Sequence, residues 1–189
     1  MRIGRPEASR FCARPSNERI IKRVSNLLVY IDVVEGRATD ASLGALDYAR
    51  RAASERGATL YGLLACPALP DYGGGDDDVV AVLSRHGADK LIVATDPSLA
   101  TMGPETAARR ERALALACER YRPVVVVLTA EAPSALAVAA AAATRGRVLE
   151  QEADRPLPDE TPIVVRLLRA IPGPVISSDE AEVLLLRPA

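Results

Sequence analysis

The chain has 189 residues, of which 49% are hydrophobic and 26% charged, with a net charge of −1. That length suits one domain with a sizeable core, and the near-neutral charge excludes a whole-domain nucleic-acid or membrane surface. No stretch reaches the roughly 20 apolar residues of a membrane span, and the alanine tract from Ala139 to Ala143 is short and weakly apolar.

Residues 1–25 read as a basic, flexible arm. Seven basic residues (Arg2, Arg5, Arg10, Arg14, Arg19, Lys22, Arg23) against Glu7 and Glu18 give +5, leaving about −6 on the rest. The arm is either a solvated tail or a strip that docks on an acidic partner. It lacks the apolar stretch of a secretory signal. Arginine and alanine are plentiful while the lysines are only Lys22 and Lys90, a bias that suits a GC-rich bacterial genome.

The domain proper is expected over residues 26–189. Leu27 to Ile31 form an apolar run that ends at Asp32, and a strand without alternation is buried on both faces, as in a parallel sheet. A loop from Val33 to Ala38 leads to a helix capped by Thr39 or Asp40 and running to about Arg56, with Gly57 as its left-handed stop. A strand at Thr59 to Ala65 follows, then a helix opened by Asp76, Asp77 and Asp78 and closed by Gly87. Lys90 to Ala94 is the third strand. Pro104 suits the first turn of a helix reaching Tyr121. Pro123 to Leu128 is the fourth strand, and Pro133 opens a fourth helix to Arg145 with Gly146 as its stop. Arg147 to Glu150 are a short strand, residues 154–162 a proline-rich connection, and the remainder a closing β-hairpin around a Pro-Gly break.

Strand and helix alternating four times define an α/β fold, a doubly wound and mostly parallel sheet of order 3-2-1-4 with a C-terminal β-hairpin. Ligands of such sheets bind at the carboxyl ends of the strands where the winding reverses, here between strands one and four. That rule nominates Asp32 and Val33 after the first strand, and Thr129 and Ser134 after the fourth. They are candidate cofactor-binding residues for a nucleotide. The loop after the first strand holds only Gly36, not a GxGxxG fingerprint, and Pro133 and Glu131 weaken the anion site at the fourth helix.

Other chemistry is thin. Gly73 to Asp78 do not have calcium-loop spacing and read as a flexible loop feeding a helix. His86, the lone histidine, fits a structural place at a helix end. Cys12, Cys66 and Cys118 have no metal or redox spacing; Cys66 at a strand end and Cys118 on a helix suit reduced thiols, and a cytoplasmic protein is expected. No catalytic residue and no metal ligand is expected. One phenylalanine, five tyrosines and no tryptophan provide no stacking platform for single-stranded nucleic acid.

The assembled pattern resembles the N-terminal domain of the electron-transfer flavoprotein alpha subunit family. The resemblance rests on NLLVYIDVVEGRATDASLGALDYARRAAS from Asn26, LSRHGADKLIVATDPSLA from Leu83, RYRPVVVVLTAEA from Arg120 and VVRLLRAIPGPVISSDEAEVLLLRP from Val164, in that order and spacing. It implies an adenine nucleotide alpha hydrolase-like fold and a heterodimer with an electron-transfer flavoprotein beta-like subunit or a separate flavin domain. FAD would be held on another chain, with AMP as a second nucleotide. The family's flavin domain follows this segment, whereas here the chain stops at Ala189. The family's Ser/Gly/Arg-rich turn after the fourth strand is also replaced by Glu131-Ala132-Pro133-Ser134-Ala135. The expected function is therefore scaffolding a flavin-bearing partner, without catalysis of its own. The alternatives are an AMP/ATP sensor at the crevice and a redox-inactive module, the latter as a homodimer.

Overall fold

A computed structural model describes residues 25–70, 78–100, 103–174 and 180–186. The basic arm, Cys12, the glycine run with Asp76 and Asp77, and the Pro-Gly break's far side therefore lie outside the described residues. A seven-stranded sheet has the order β7-β8-β6-β1-β4-β5-β9, and every pairing in it is parallel.

β1 (Asn26–Ile31) is central, between β4 (Thr59–Cys66) and β6 (Val125–Thr129). Its residues split between two cores. Leu27, Val29 and Ile31 face the layer of α1 (Asp40–Arg56) and α2 (Val79–Arg85), while Leu28 and Tyr30 face α3 (Pro104–Tyr121) and α4 (Ser134–Thr144). A strand sandwiched this way must be apolar where it is covered on both faces, as Leu27 to Ile31 are. With β5 (Lys90–Thr95), the inner strands run third, second, first, fourth, so the winding reverses between β1 and β6 as expected.

The helix ends follow local chemistry. Thr39 caps α1, its Oγ1 accepting from Ser42 N–H, and Gly57 ends it at φ 61°. Asp78 caps α2 by accepting from Val80 N–H, and Pro104 stands at the start of α3. α3 and α4 end on left-handed arginines, Arg122 at φ 48° and Arg145 at φ 57°, so Gly146 is not the stop of α4. Between Pro97 and Ala100 a short 3-10 turn links β5 to α3.

Two features differ from the sequence expectations. The loop after β1 is a miniature antiparallel hairpin, β2 (Val33–Val34) with β3 (Arg37–Ala38), turned through Glu35 at φ 53° and Gly36 at φ 79°. Positive φ at both central residues is the mirror-image turn that matches strand twist.

The C-terminal β-hairpin is corrected. β8 (Ile163–Leu167) inserts between β6 and β7 (Arg147–Gln151), while β9 (Glu182–Leu186) pairs with β5 at the opposite edge. Both are parallel to their neighbours, so no hairpin joins them. The reason lies in their burial. Ile163, Val164, Val165 and Leu167 are all buried, which demands an interior place that an edge hairpin could not provide. The chain instead crosses the α1 face after β8. It passes so close that a Cβ on Gly44 would lie 2.6 Å from Ile171 N.

Candidate functional site

The reversal of winding brings Asp32 and Thr129 together, as the fold rule requires. The Thr129 hydroxyl donates to Asp32 Oδ2 at 3.5 Å. Both backbone groups of Asp32 are tied to the start of α1: its N–H donates to Ser42 Oγ at 2.9 Å, and its C=O accepts from Thr39 N–H at 3.0 Å. The Thr39 hydroxyl donates to Ser42 Oγ at 3.0 Å and closes the knot. The backbone that carries the carboxylate is thus fixed at the mouth of the crevice.

Its electrostatics disfavour anions. Burial is the main cause that pushes the Asp32 carboxyl above the usual carboxylate range, with Glu131 adding to it, while Arg110 and the Thr129 hydrogen bond oppose the shift. The neighbouring Tyr30 phenol is also raised, by burial first and then by the Asp32 charge. A phosphate at the start of α4 would meet Glu131, and Pro133 supplies neither a side-chain cap nor an N–H.

The other two nominated residues part company with this pair. Ser134 is exposed at the first turn of α4. Val33 faces away, into a groove of about 600 Å³ at the carboxyl ends of β1 and β4. The described lining includes Leu64 and Cys66 from the end of β4, Pro67 beyond it, Leu99 and Arg110. Arg110 is the cation of this wall, and its Nε is buried without a hydrogen-bond partner among the described residues. Burial pushes the Cys66 thiol up, so it is not a poised nucleophile.

Two arginines beside the crevice escaped the sequence reading. Arg166 of β8 donates through one guanidinium nitrogen to the carbonyls of Ala130 at 2.7 Å and Ala132 at 3.2 Å, fixing the loop after β6. A charge inside an otherwise apolar strand was the available signal, because such a group must be paired. Arg110 sits in the run RRER, which reads as a solvated helix face. His86 has the structural place expected: its Nδ1 lies 2.9 Å from Asp47 Oδ1, and Asp47 Oδ2 accepts from Gly173 N–H at 2.5 Å. Among the described residues no group of three or more His, Cys, Asp or Glu side chains is arranged to hold a metal, and no helix is long and apolar enough to cross a membrane.

The sheet order, the crossovers and the crevice define a doubly wound α/β domain whose ligand position, by fold rule, is at the carboxyl ends of its central strands. The model of the electron transfer flavoprotein domain matches residues 27–156, and the chain belongs to that family. No curated protein matches the sequence. Among solved structures, the universal stress protein from Archaeoglobus fulgidus in complex with dAMP is similar at 14% identity and a TM-score of 0.36, covering 75% of this chain and 96% of that one. A second structure of the universal stress protein from Archaeoglobus fulgidus shows 13% identity and a TM-score of 0.35, covering 75% and 92%. Similarity so remote transfers no function.

Proposed function

We propose that this chain is an alpha-type component of an electron-transfer flavoprotein system. It supports electron transfer by scaffolding a flavin-bearing partner and does not bind FAD alone. The observation that carries this reading is the family match over residues 27–156, which spans β1 through β7 and the whole crevice. The crevice agrees with it: the carboxylates of Asp32 and Glu131 and the proline at the head of α4 are poor company for a dinucleotide pyrophosphate.

In this reading residues 26–189 are one domain preceded by a basic arm, the protein is cytoplasmic, and the partner is a beta-like subunit or a separate flavin domain in a heterodimer. FAD stays on that other chain, and the protein contributes surface and orientation rather than a reactive group. The test is co-expression with a beta-like subunit and a flavin domain. The expected result is a yellow complex containing this chain, and a colourless chain that elutes without either partner would overturn it.

A second reading is an adenine-nucleotide sensor, favoured by the groove beside Val33 and the buried Arg110 Nε. There Asp32 would accept from ribose hydroxyls and Thr129 would orient it, while Ser134 would meet a phosphate. Calorimetry with AMP and ATP separates the two readings, since absence of heat at millimolar nucleotide removes the sensor.

A further inference from the structure

We infer that the groove beside Val33 binds a small apolar acid, with its single carboxylate on Arg110 and its hydrocarbon body along the groove wall. This rests on neither the family match nor a flavin partner, and the ligand is not a nucleotide.

Arg110 stands half-buried in the groove wall without an anion. Its Nε is buried with no hydrogen-bond partner, and the guanidinium makes no hydrogen bond or ion pair among the described residues. Arg50 also has an unpartnered Nε, but one of its outer nitrogens donates to Asp89 Oδ1 at 2.9 Å and to the Gly87 C=O at 3.1 Å. On the same helix as Arg110, Arg109 is paired with Asp96 and Arg112 is exposed to water. Asp32 senses Arg110 without bonding to it: burial pushes its carboxyl up, and the arginine opposes that through its charge alone. Arg110 has therefore given up hydration without gaining a partner, which is costly for a cation. A carboxylate accepting from the guanidinium offsets that cost through a charge-assisted bond.

The rest of the wall selects the body. Leu64, Cys66, Pro67, Ala68, Leu99 and Ala100 come from the end of β4, the segment beyond it and the 3-10 turn. The described lining holds no hydroxyl, amide or lysine side chain, and its prolines have no N–H to offer. A base or a ribose would leave polar atoms unpaired against such a wall. A volume of about 600 Å³ is that of a small-molecule site, in which apolar walls supply affinity and a placed charge fixes orientation.

Charge limits the ligand to a single anionic group. Glu35 is exposed at the hairpin turn, and Asp78 Oδ1 accepts from Val80 N–H at 2.9 Å, so both acids of the described lining are satisfied without Arg110. With two carboxylates and one guanidinium in the wall, every negative charge after the first adds repulsion that no cation offsets. A monocarboxylate is held where a di- or triphosphate is not.

Calorimetric titration of the full chain with octanoate and with phenylbutyrate tests this, against acetate, octanol and AMP. Both apolar acids should bind. Acetate and octanol should bind at least about tenfold more weakly, since one lacks the hydrocarbon body and the other the charge-assisted bond. Arg110→Gln should weaken octanoate at least about tenfold and leave octanol unchanged, which a collapse of the groove would not do. Ala68→Trp, at an exposed position of the wall, should fill the groove and remove octanoate binding while the circular dichroism and Tm stay those of the parent. Absence of heat with both acids at millimolar concentration overturns the inference. So does octanol that binds as tightly as octanoate, an acid whose affinity survives either variant, or AMP that binds more tightly than both acids and is blocked by Ala68→Trp.

Discussion

Gly44→Ala decides the path of the chain after β8. In the middle of a helix this change ordinarily stabilises, because alanine exceeds glycine in helix propensity by about 1 kcal/mol. Were the C-terminal strands a hairpin away from α1, that gain would be the whole effect. The crossover runs over Gly44 instead. An added Cβ would meet Ile171 N at 2.6 Å, Ala170 C at 2.7 Å and Ile171 C at 2.8 Å. These are backbone atoms, which cannot rotate aside as a side-chain tip would, so the cost falls at the upper end of the roughly 1–3 kcal/mol for overpacking. The net is a destabilisation of about 2 kcal/mol, and in a chain of this size that lowers Tm by about 4–8 °C. Chemical denaturation and thermal melting read the stability. Tryptic cleavage after the exposed Arg169, which should accelerate in the variant, reads displacement of the crossover. Equal or greater stability of Gly44→Ala, with unchanged cleavage, would refute this topology.

Three other predictions concern buried polar groups. Asp47→Ala leaves the mostly buried His86 and the Gly173 N–H without their acceptor, and should cost about 1–3 kcal/mol in urea denaturation while also speeding tryptic cleavage after Arg169; an unchanged midpoint would contradict this role of Asp47. Burial raises the folded-state pKa of Asp32, so between the unfolded and the folded values the folded chain holds a proton that the unfolded chain has released. Its contribution is therefore most favourable at acid pH and is lost as pH rises through the folded value. Asp32→Asn should abolish that slope just above the ordinary carboxylate range and leave the protein at least as stable at neutral pH, whereas a retained slope would assign it to another group. Cys118, its thiol pushed up to about 12 by burial and then by Glu119, should resist iodoacetamide at mild alkaline pH until denaturant is added. Rapid native-state labelling, followed by mass spectrometry, would count against the packing of α3.

Much of this fold was legible because the deciding interactions are local. The unbroken apolar runs of β1, β4, β5 and β6 announced strands buried on both faces, and Thr39, Gly57, Asp78 and Pro104 marked helix ends by their own chemistry. What stayed hidden depends on groups far apart in sequence. Pro172-Gly173 looks like a hairpin turn until Asp47 and Gly44, both on α1, are seen to hold the segment in a crossover. The Glu35-Gly36 turn lacks the asparagine or aspartate that usually signals its type. The Asp32–Thr129 pair followed from the strand-order rule alone, but the groove beside Val33 is walled by the ends of several elements and Arg110. No run of sequence displays it. Arg166 belongs to the same class, since its acceptors lie on the loop after β6.

Whether this domain serves flavin chemistry through a partner is read from the flavin-to-protein ratio after gel filtration, measured for the chain alone with added FAD and for the chain co-expressed with a beta-like subunit and a flavin domain. No flavin should be retained on the isolated chain, and FAD should be stoichiometric in a complex that contains it. Stoichiometric FAD on the isolated chain, or a flavin-loaded partner complex that excludes it, would overturn the scaffolding role.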